Sequence, residues 1–109
     1  MSESKPDNDL TPCCSLDVNE KEQEQLVAMM KAVGNPVRFE ILKFLLTHPG
    51  CITRDIVEYL PLAQSTISQH LKVLRKSGVI KGEIEGPATS YCLNREMISW
   101  FKTIVNRIF

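Results

Sequence analysis

Residues 53–82 read TRDIVEYLPLAQSTISQHLKVLRKSGVIKG and contain two helical patterns with only three residues between them. In the first pattern, TRDIVEYL, the apolar residues face one side, and Pro61 ends the helix. The second pattern runs from about Gln64 to Ser77 and ends before Gly78; its inward residues are Ile67, Leu71 and Leu74. Two helices joined by so short a turn predict a helix-turn-helix.

Further elements flank this pair on both sides. A first helix is predicted from Asn19 to Gly34, a second begins at Asn35-Pro36, and Asn94 caps a last one. The predicted core stripe of the second helix is Val37, Ile41, Leu42, Leu45 and Leu46. The segment VIKGEIEGPATSYCLN predicts a hairpin with strands Val79–Glu85 and Ser90–Leu93 and a turn over 86–89. The fold class is therefore mainly α with a small β-hairpin, a winged helix-turn-helix.

The net charge of zero conceals a division between the two ends of the chain. Residues 1–24 carry seven acidic residues and two lysines, whereas residues 25–109 carry eleven basic and six acidic residues. We interpret residues 1–18 as a flexible acidic arm and residues 19–109 as one domain. A local basic patch on that domain suits a phosphate backbone better than the overall charge suggests.

The polar residues of the second helix of the pair predict a DNA-reading surface. Amides and hydroxyls near its N-terminus suit base edges in a major groove, and the later basic residues suit phosphates. The predicted DNA-binding residues are Gln64, Ser65, Thr66, Ser68, Gln69, His70, Lys72, Arg75, Lys76 and Lys81. An ordinary solvated helix face is the alternative interpretation, but the short preceding helix and the following hairpin favour DNA.

Other classes of protein fit the sequence poorly. The two histidines, His48 and His70, have no acid–base or nucleophile partner pattern around them, and no glycine-rich phosphate loop is apparent, so we do not expect an enzyme. No apolar run is long enough to span a membrane, and the N-terminus lacks the order of a signal peptide, so we expect a cytoplasmic protein. Cysteines in that compartment are more often thiols, metal ligands or redox sensors than structural disulfides.

The segments NPVRFEILKFL, STISQHLKVLRKSGVIKGEIEG and SYCLN strongly resemble the ArsR/SmtB family of winged-helix repressors, and the resemblance covers about 19–109. It implies a homodimer that binds double-stranded operator DNA and releases it on sensing a metal, a metalloid or an oxidant. It also implies a dimer built from the first and last helices, which agrees with the broad apolar stripe of the last helix. The predicted interface residues are Leu26, Met29, Met30, Met97, Trp100, Phe101, Ile104 and Ile108.

Family members place their metal ligands differently, and two of the known arrangements do not match. Many arsenic and lead sensors carry Cys-x-Cys just before the acidic residue of the first DNA-binding helix, but CITRDI supplies only Cys51. Zinc sensors use Asp, His and Glu on the last helix, and REMISWFKTIVNRIF contains neither Asp nor His.

A third family pattern joins an N-terminal cysteine pair to a cysteine near the DNA-binding helices of the other subunit. Cys13, Cys14 and Cys51 match it in residue type and rough placement. Adjacent cysteines do not easily form an unstrained disulfide, yet both thiolates can ligate one ion. Three thiolates suit As(III) or Sb(III), and also Pb(II) or Cd(II), as an inducer; we expect no permanent cofactor.

Three alternatives stay open at this point. The cysteines of the arm could be incidental tail thiols. If the short segment before the helix pair joins the hairpin as a third strand, Cys92 would lie near Cys51, as a fourth ligand, as a redox partner for a reversible disulfide, or as a small buried residue. A winged helix could also bind protein rather than DNA.

Overall fold

The computed structural model describes residues 18–109. The predicted arm, with Cys13 and Cys14, lies outside the described residues apart from Val18. Five helices and three strands follow one another in the order α1 Glu20–Val33, α2 Pro36–Thr47, β1 Cys51–Ile52, α3 Thr53–Tyr59, α4 Gln64–Ser77, β2 Ile80–Glu85, β3 Ala88–Leu93 and α5 Arg95–Ile108.

Asparagine side chains start three of the helices. The Asn19 Oδ1 accepts from the Glu22 N–H at 2.8 Å, and the Glu22 carboxylate accepts from the Asn19 N–H at 3.1 Å, so a capping box begins α1. Asn35 accepts from two backbone N–H groups of α2, where Pro36 holds the first helical position. Asn94 caps α5 in the same way. Each cap satisfies donors that a helix leaves unpaired at its first turn.

The core lies where α2, α3 and α4 meet the sheet. Its fully buried side chains include Ile41, Leu45, Ile56, Ile67, Leu71, Leu74 and Ile80. One residue of the predicted stripe is misplaced: Leu46 is 58% exposed, and Phe44 is buried instead. On a helix, Phe44 lies about 60° around the axis from Ile41 on the inward face, whereas Leu46 lies about 140° from Ile41.

A three-stranded antiparallel sheet packs at the end of this helical layer, with strand order β1-β3-β2. The segment before the helix pair joins the hairpin as predicted, since Cys51 pairs with Tyr91 and Ile52 with Ser90. The hairpin itself differs from the prediction in its turn. Ladder pairing extends to Glu85 and Ala88, which leaves only Gly86 and Pro87 in the loop. Gly86 has φ +63°, a conformation that glycine adopts without strain.

Candidate DNA-binding face and cysteine site

The helix-turn-helix is held together by apolar side chains on both of its helices. Ile56 of α3 and Ile67 of α4 are fully buried in the same core cluster. Leu60 has an extended backbone that ends α3, and Ala63 has an extended backbone that starts α4, so four residues, 60–63, connect the two helices. The opposite face of α4 is therefore left toward solvent.

Four polar residues form a stripe along that outward face, which we call the α4 stripe: Ser65, Gln69, Lys72 and Lys76. Their spacing of four, three and four residues places them on one side of a helix, and all four are exposed. The other exposed residues of the predicted set on this helix are Gln64, Thr66, Ser68 and Arg75. The order of the stripe, with the hydroxyl and amide first and the lysines last, fits base contacts near one end and phosphate contacts near the other.

Val73 was missed by the sequence reading and is 40% exposed beside this stripe. Isolated exposed apolar residues are normal on a protein surface. On a helix that enters a major groove, however, a valine can contact a thymine methyl group. The signal for Val73 in the sequence is its position directly after Lys72 on the same helix.

His70 differs from its neighbours on α4 because it is half-buried. Its Nδ1 lies 3.3 Å from the Nη1 of Arg38, a residue of α2 that the sequence analysis did not single out. Burial, and then the charge of Arg38, lower the pKa of His70 below its usual value. His70 is consequently neutral at neutral pH and packs toward α2. It does not add a positive charge to the α4 stripe.

Lys81 lies apart from the bases of α4. A Cβ atom at Gly82 would approach the Cδ of Arg75 to 3.4 Å and the Cε1 of Tyr91 to 3.3 Å, so these side chains cover that face of the sheet. Lys81 is the adjacent residue of β2 and projects to the opposite face, where it lines a cavity with Arg95. Lys81 therefore lies on the other face of the sheet from Arg75, and its contact with DNA stays a prediction.

Cys51 lies at the start of the helix-turn-helix and lines an open cleft of about 610 Å³ with His48, Asp55 and Glu58 among its other walls. Its side chain is only 8% exposed. Burial, and then the nearby Asp55 carboxylate, raise the pKa of the Cys51 thiol to about 11. The free thiol is therefore protonated at neutral pH, and a ligand that binds the sulfur must displace a proton.

Cys51 and Cys92 lie on neighbouring strands of the sheet, but their side chains do not lie together. Cys51 pairs with Tyr91, so those two side chains share one face, and Cys92 projects from the other face. The two thiols accordingly line different cavities, and both are free. This register separates the thiols and does not favour either a Cys51–Cys92 disulfide or a shared metal ion.

The described part of the chain does not contain a complete metal site. Among residues 18–109, no group of three or more Cys, His, Asp or Glu side chains is placed to hold a metal ion. Cys51 is thus the only member of the predicted cysteine trio that the structure describes. No helix in this part of the chain is long and apolar enough to cross a membrane.

The predicted dimer residues divide into two groups. Leu26, Met29 and Ile104 are at most 5% exposed and belong to the interior of a single chain, so they have no surface to offer a second copy. Met30 is 41% exposed, beside the exposed Val27 of the same helix. The others lie on α5 and are half-buried: Met97, Trp100, Phe101 and Ile108.

Comparison with known proteins agrees with this geometry. Residues 35–81, which span α2, β1 and the helix-turn-helix, match the model of the arsR family of bacterial regulatory proteins. A helix-turn-helix transcriptional regulator of Methanocaldococcus jannaschii is 31% identical over 85 residues, which cover 78% of this chain and 96% of that protein.

The chain belongs to the ArsR family.

Two further relatives of known role are transcriptional repressors. SdpR, a transcriptional repressor of Bacillus subtilis, is 30% identical over 83 residues that cover 72% of this chain and 91% of the relative. The crystal structure of PagR, a transcriptional repressor of Bacillus anthracis, superposes with a TM-score of 0.66 at 27% identity and covers 81% of this chain and all of that one.

Membership in the ArsR family decides two of the questions that the sequence left open. The chain is a DNA-binding transcriptional regulator with a winged helix-turn-helix, and it is not an enzyme. The alternative that the winged helix binds protein and not DNA is therefore excluded. Neither the inducer nor the role of the cysteines follows from membership, because the matched segment ends at residue 81 and contains only one of the four cysteines.

Proposed function

We propose that this regulator is a repressor that leaves its operator when a soft metal or metalloid binds the thiolates of Cys13, Cys14 and Cys51. As(III) and Sb(III) are the favoured inducers, and Pb(II) and Cd(II) are further candidates. The observation that carries the proposal is the position of Cys51, which lines an open cleft at the start of the first DNA-binding helix. A ligand bound at that point acts directly on the element that presents α4 to DNA.

The chemistry of Cys51 also fits a site that is completed by other residues. One buried thiol with a pKa raised to about 11 is a poor ligand by itself. Cys13 and Cys14 of the N-terminal segment would supply the remaining ligands, and the combined affinity of three thiolates for a soft ion can offset the loss of the protons. Metal affinity should therefore increase with pH over the neutral range, because each ligating thiol must be deprotonated.

We propose further that two copies form the active repressor through α1 and α5. An apolar cavity of about 370 Å³ is open on this side of the molecule and is lined by residues of α2 and α5 that include Phe39, Leu46, Ile98 and Phe101. Contiguous exposed apolar surface of this kind is typical of an interface. A two-fold dimer would present two α4 helices to two half-sites of a palindromic operator and would allow the arm of one copy to reach Cys51 of the other.

The experiment is an inducer titration of the reduced protein bound to duplex DNA that the wild-type protein enriches from a random library. Arsenite, antimonite, lead, cadmium and zinc salts are added separately, and release is followed by fluorescence anisotropy. We expect arsenite to release the wild-type protein, and we expect both Cys51→Ser and deletion of residues 1–15 to stay bound at the same concentrations. Cys92→Ser is the matched control, which removes one thiol outside the proposed set and should still respond.

The redox alternative gives the opposite pattern in the same assay. Peroxide would release the protein from DNA, and dithiothreitol would restore binding. The variant that lacks residues 1–15 would respond normally to peroxide, and Cys92→Ser would fail to respond. Circular dichroism and sedimentation must first show that each variant is a folded dimer, because Cys51 is part of the buried core. An arm deletion that leaves DNA at the wild-type arsenite concentration would refute the role of Cys13 and Cys14.

A further inference from the structure

We propose that Arg38 is a positioning residue for DNA recognition, which holds the recognition helix α4 in register with α1 through His70. This inference rests on the DNA binding of the ArsR family and is independent of any inducer. It assigns a function to a contact between three helices that lies outside both the α4 stripe and the cysteine site.

The Arg38 guanidinium makes three contacts with groups on two other helices. Its Nε donates to the carbonyl oxygen of Ala32 at 2.7 Å, and its Nη2 donates to the carbonyl oxygen of Lys31 at 3.2 Å. Both carbonyls belong to the last turn of α1, where a helix lacks internal donors for its final carbonyl groups. The Nη1 lies 3.3 Å from the Nδ1 of His70 on α4. One side chain of α2 therefore connects the end of α1 to the middle of α4.

The contact with His70 fixes the protonation state of the histidine. A guanidinium has only donors, so the Nδ1 of His70 must present its lone pair, and the proton of the neutral ring is on Nε2. A histidine with protons on both nitrogens would lose this hydrogen bond and would be repelled by Arg38. Burial and the Arg38 charge lower the pKa of His70 in the same sense, so the neutral form dominates at physiological pH.

The position of His70 in α4 makes this contact relevant to base reading. His70 is flanked by Gln69, which belongs to the exposed stripe, and by Leu71, which is fully buried. A second contact restrains the C-terminal end of the same helix, because the Nε2 of Gln25 on α1 donates to the carbonyl oxygen of Ser77 at 2.8 Å. Two contacts separated by about two turns restrict both rotation and sliding of α4 against α1.

Such restraint should affect specific binding more than general affinity for DNA. Side chains that read base edges must be held to within about 0.5 Å of the productive geometry, whereas a lysine on a phosphate tolerates larger displacements. Loss of the Arg38 contact should therefore reduce discrimination between DNA sequences and leave non-specific electrostatic binding almost unchanged. This separation distinguishes positioning from a direct phosphate contact.

The test compares Arg38→Gln with Lys43→Gln. Both variants remove one positive charge from α2, but Lys43 is exposed and, within residues 18–109, its Nζ forms an ion pair with Glu40 of the same helix at 3.3 Å. The probes are a duplex that the wild-type protein enriches from a random library and a scrambled duplex of the same composition. We expect Arg38→Gln to lower the ratio of specific to non-specific affinity by about tenfold, a size common for coupling between sites, while Lys43→Gln keeps the wild-type ratio.

A pH series gives a readout that a purely structural role would not change. As the pH falls below the ordinary histidine range and through the lowered pKa of His70, protonation of the ring should break the Arg38 contact. The ratio of specific to non-specific affinity of the wild-type protein should then fall. The His70→Gln variant retains an acceptor oxygen that does not titrate. Its ratio of specific to non-specific affinity should therefore not change with pH. The control is His48→Gln, which removes the only other histidine of the chain and should keep the wild-type pH dependence.

Each outcome of these measurements decides the proposal. Equal ratios for Arg38→Gln and Lys43→Gln would overturn it, as would specific binding that strengthens at low pH, because His70 would then act as a cation toward phosphate. If Arg38→Gln melts below the assay temperature, His70→Leu removes the acceptor without removing a permanent charge and is judged by the same ratio. A wild-type protein that enriches no duplex would instead refute sequence-specific DNA binding itself.

Discussion

At the scale of single residues, base reading and phosphate binding should separate on the α4 stripe. Gln69 lies near the N-terminal half of the helix and can bond bidentately to adenine, whereas Lys72 lies one turn further along. We expect Gln69→Ala to weaken binding to the selected duplex by about 1–3 kcal/mol and to relax discrimination at one base position. Lys72→Ala should weaken binding to all sequences and reduce the slope of log affinity against log salt by about one.

The measurement is a salt series for each variant on the selected and the scrambled duplex. Gln69→Ala should lower the affinity for the selected duplex only. Lys72→Ala should reduce the salt dependence of the affinity for both duplexes. Intact discrimination by Gln69→Ala would show that another face of α4 reads the bases. In that case Thr66 and Val73, which are exposed beside the stripe, become the residues to test.

At the scale of elements, the start of α4 lacks the side-chain cap that an asparagine gives to α1, α2 and α5. Ala63 occupies the N-cap position with an extended backbone, φ −62° and ψ 148°, and makes no capping hydrogen bond through its side chain. A serine at this position could accept from a backbone N–H of the first turn. We expect Ala63→Ser to stabilise the domain by about 1 kcal/mol, measured as a higher midpoint of urea unfolding with an unchanged slope.

The matched control for this prediction is Ala28→Ser, which makes the same substitution at an exposed position inside α1. Serine is a poorer helix former than alanine, so this variant should be slightly destabilised. A decrease in the midpoint for both variants would mean that α4 does not begin at Gln64. The two changes together therefore test the boundary of the recognition helix.

At the scale of the whole molecule, dimerisation should depend on the exposed apolar residues of α1 and the half-buried ones of α5. We expect Met30→Asp to raise the dimer dissociation constant by about tenfold or more, because a charge would be buried in the interface. The variant should fold normally, since Met30 is 41% exposed in the single chain. Sedimentation velocity over a dilution series measures the effect.

Ile84→Asp serves as the control, because Ile84 is 83% exposed at the far end of the hairpin. It introduces the same charge on an exposed apolar residue away from α1 and α5. Equal dissociation constants for the two variants would contradict the proposed interface. A dimer that is weakened only by the Ile84 substitution would point to the wing as the contact.

The sequence by itself determined the elements and their order, because the signals for them are local. Helix ends are set by signals that act over a few residues and do not depend on the tertiary fold. These signals are the asparagine caps, Pro36, Pro61, Gly78 and the helical spacing of apolar residues. The exposed polar residues of α4 followed from the same periodicity. The two-residue turn at Gly86 and Pro87 was misjudged because a short loop depends on strand register, which local propensity does not determine.

Only the tertiary structure decided which side chains meet. Leu46 looked like a core residue, but it is 58% exposed at the edge of the apolar cavity between α2 and α5. Cys51 and Cys92 are neighbours in the sheet, yet the alternation of side chains along a strand sends them to opposite faces. Arg38 and His70 are 32 residues apart in sequence and meet because α2 packs on α4. Contacts between distant residues depend on the packing of helices and sheet against one another, and a one-dimensional pattern carries little information about them.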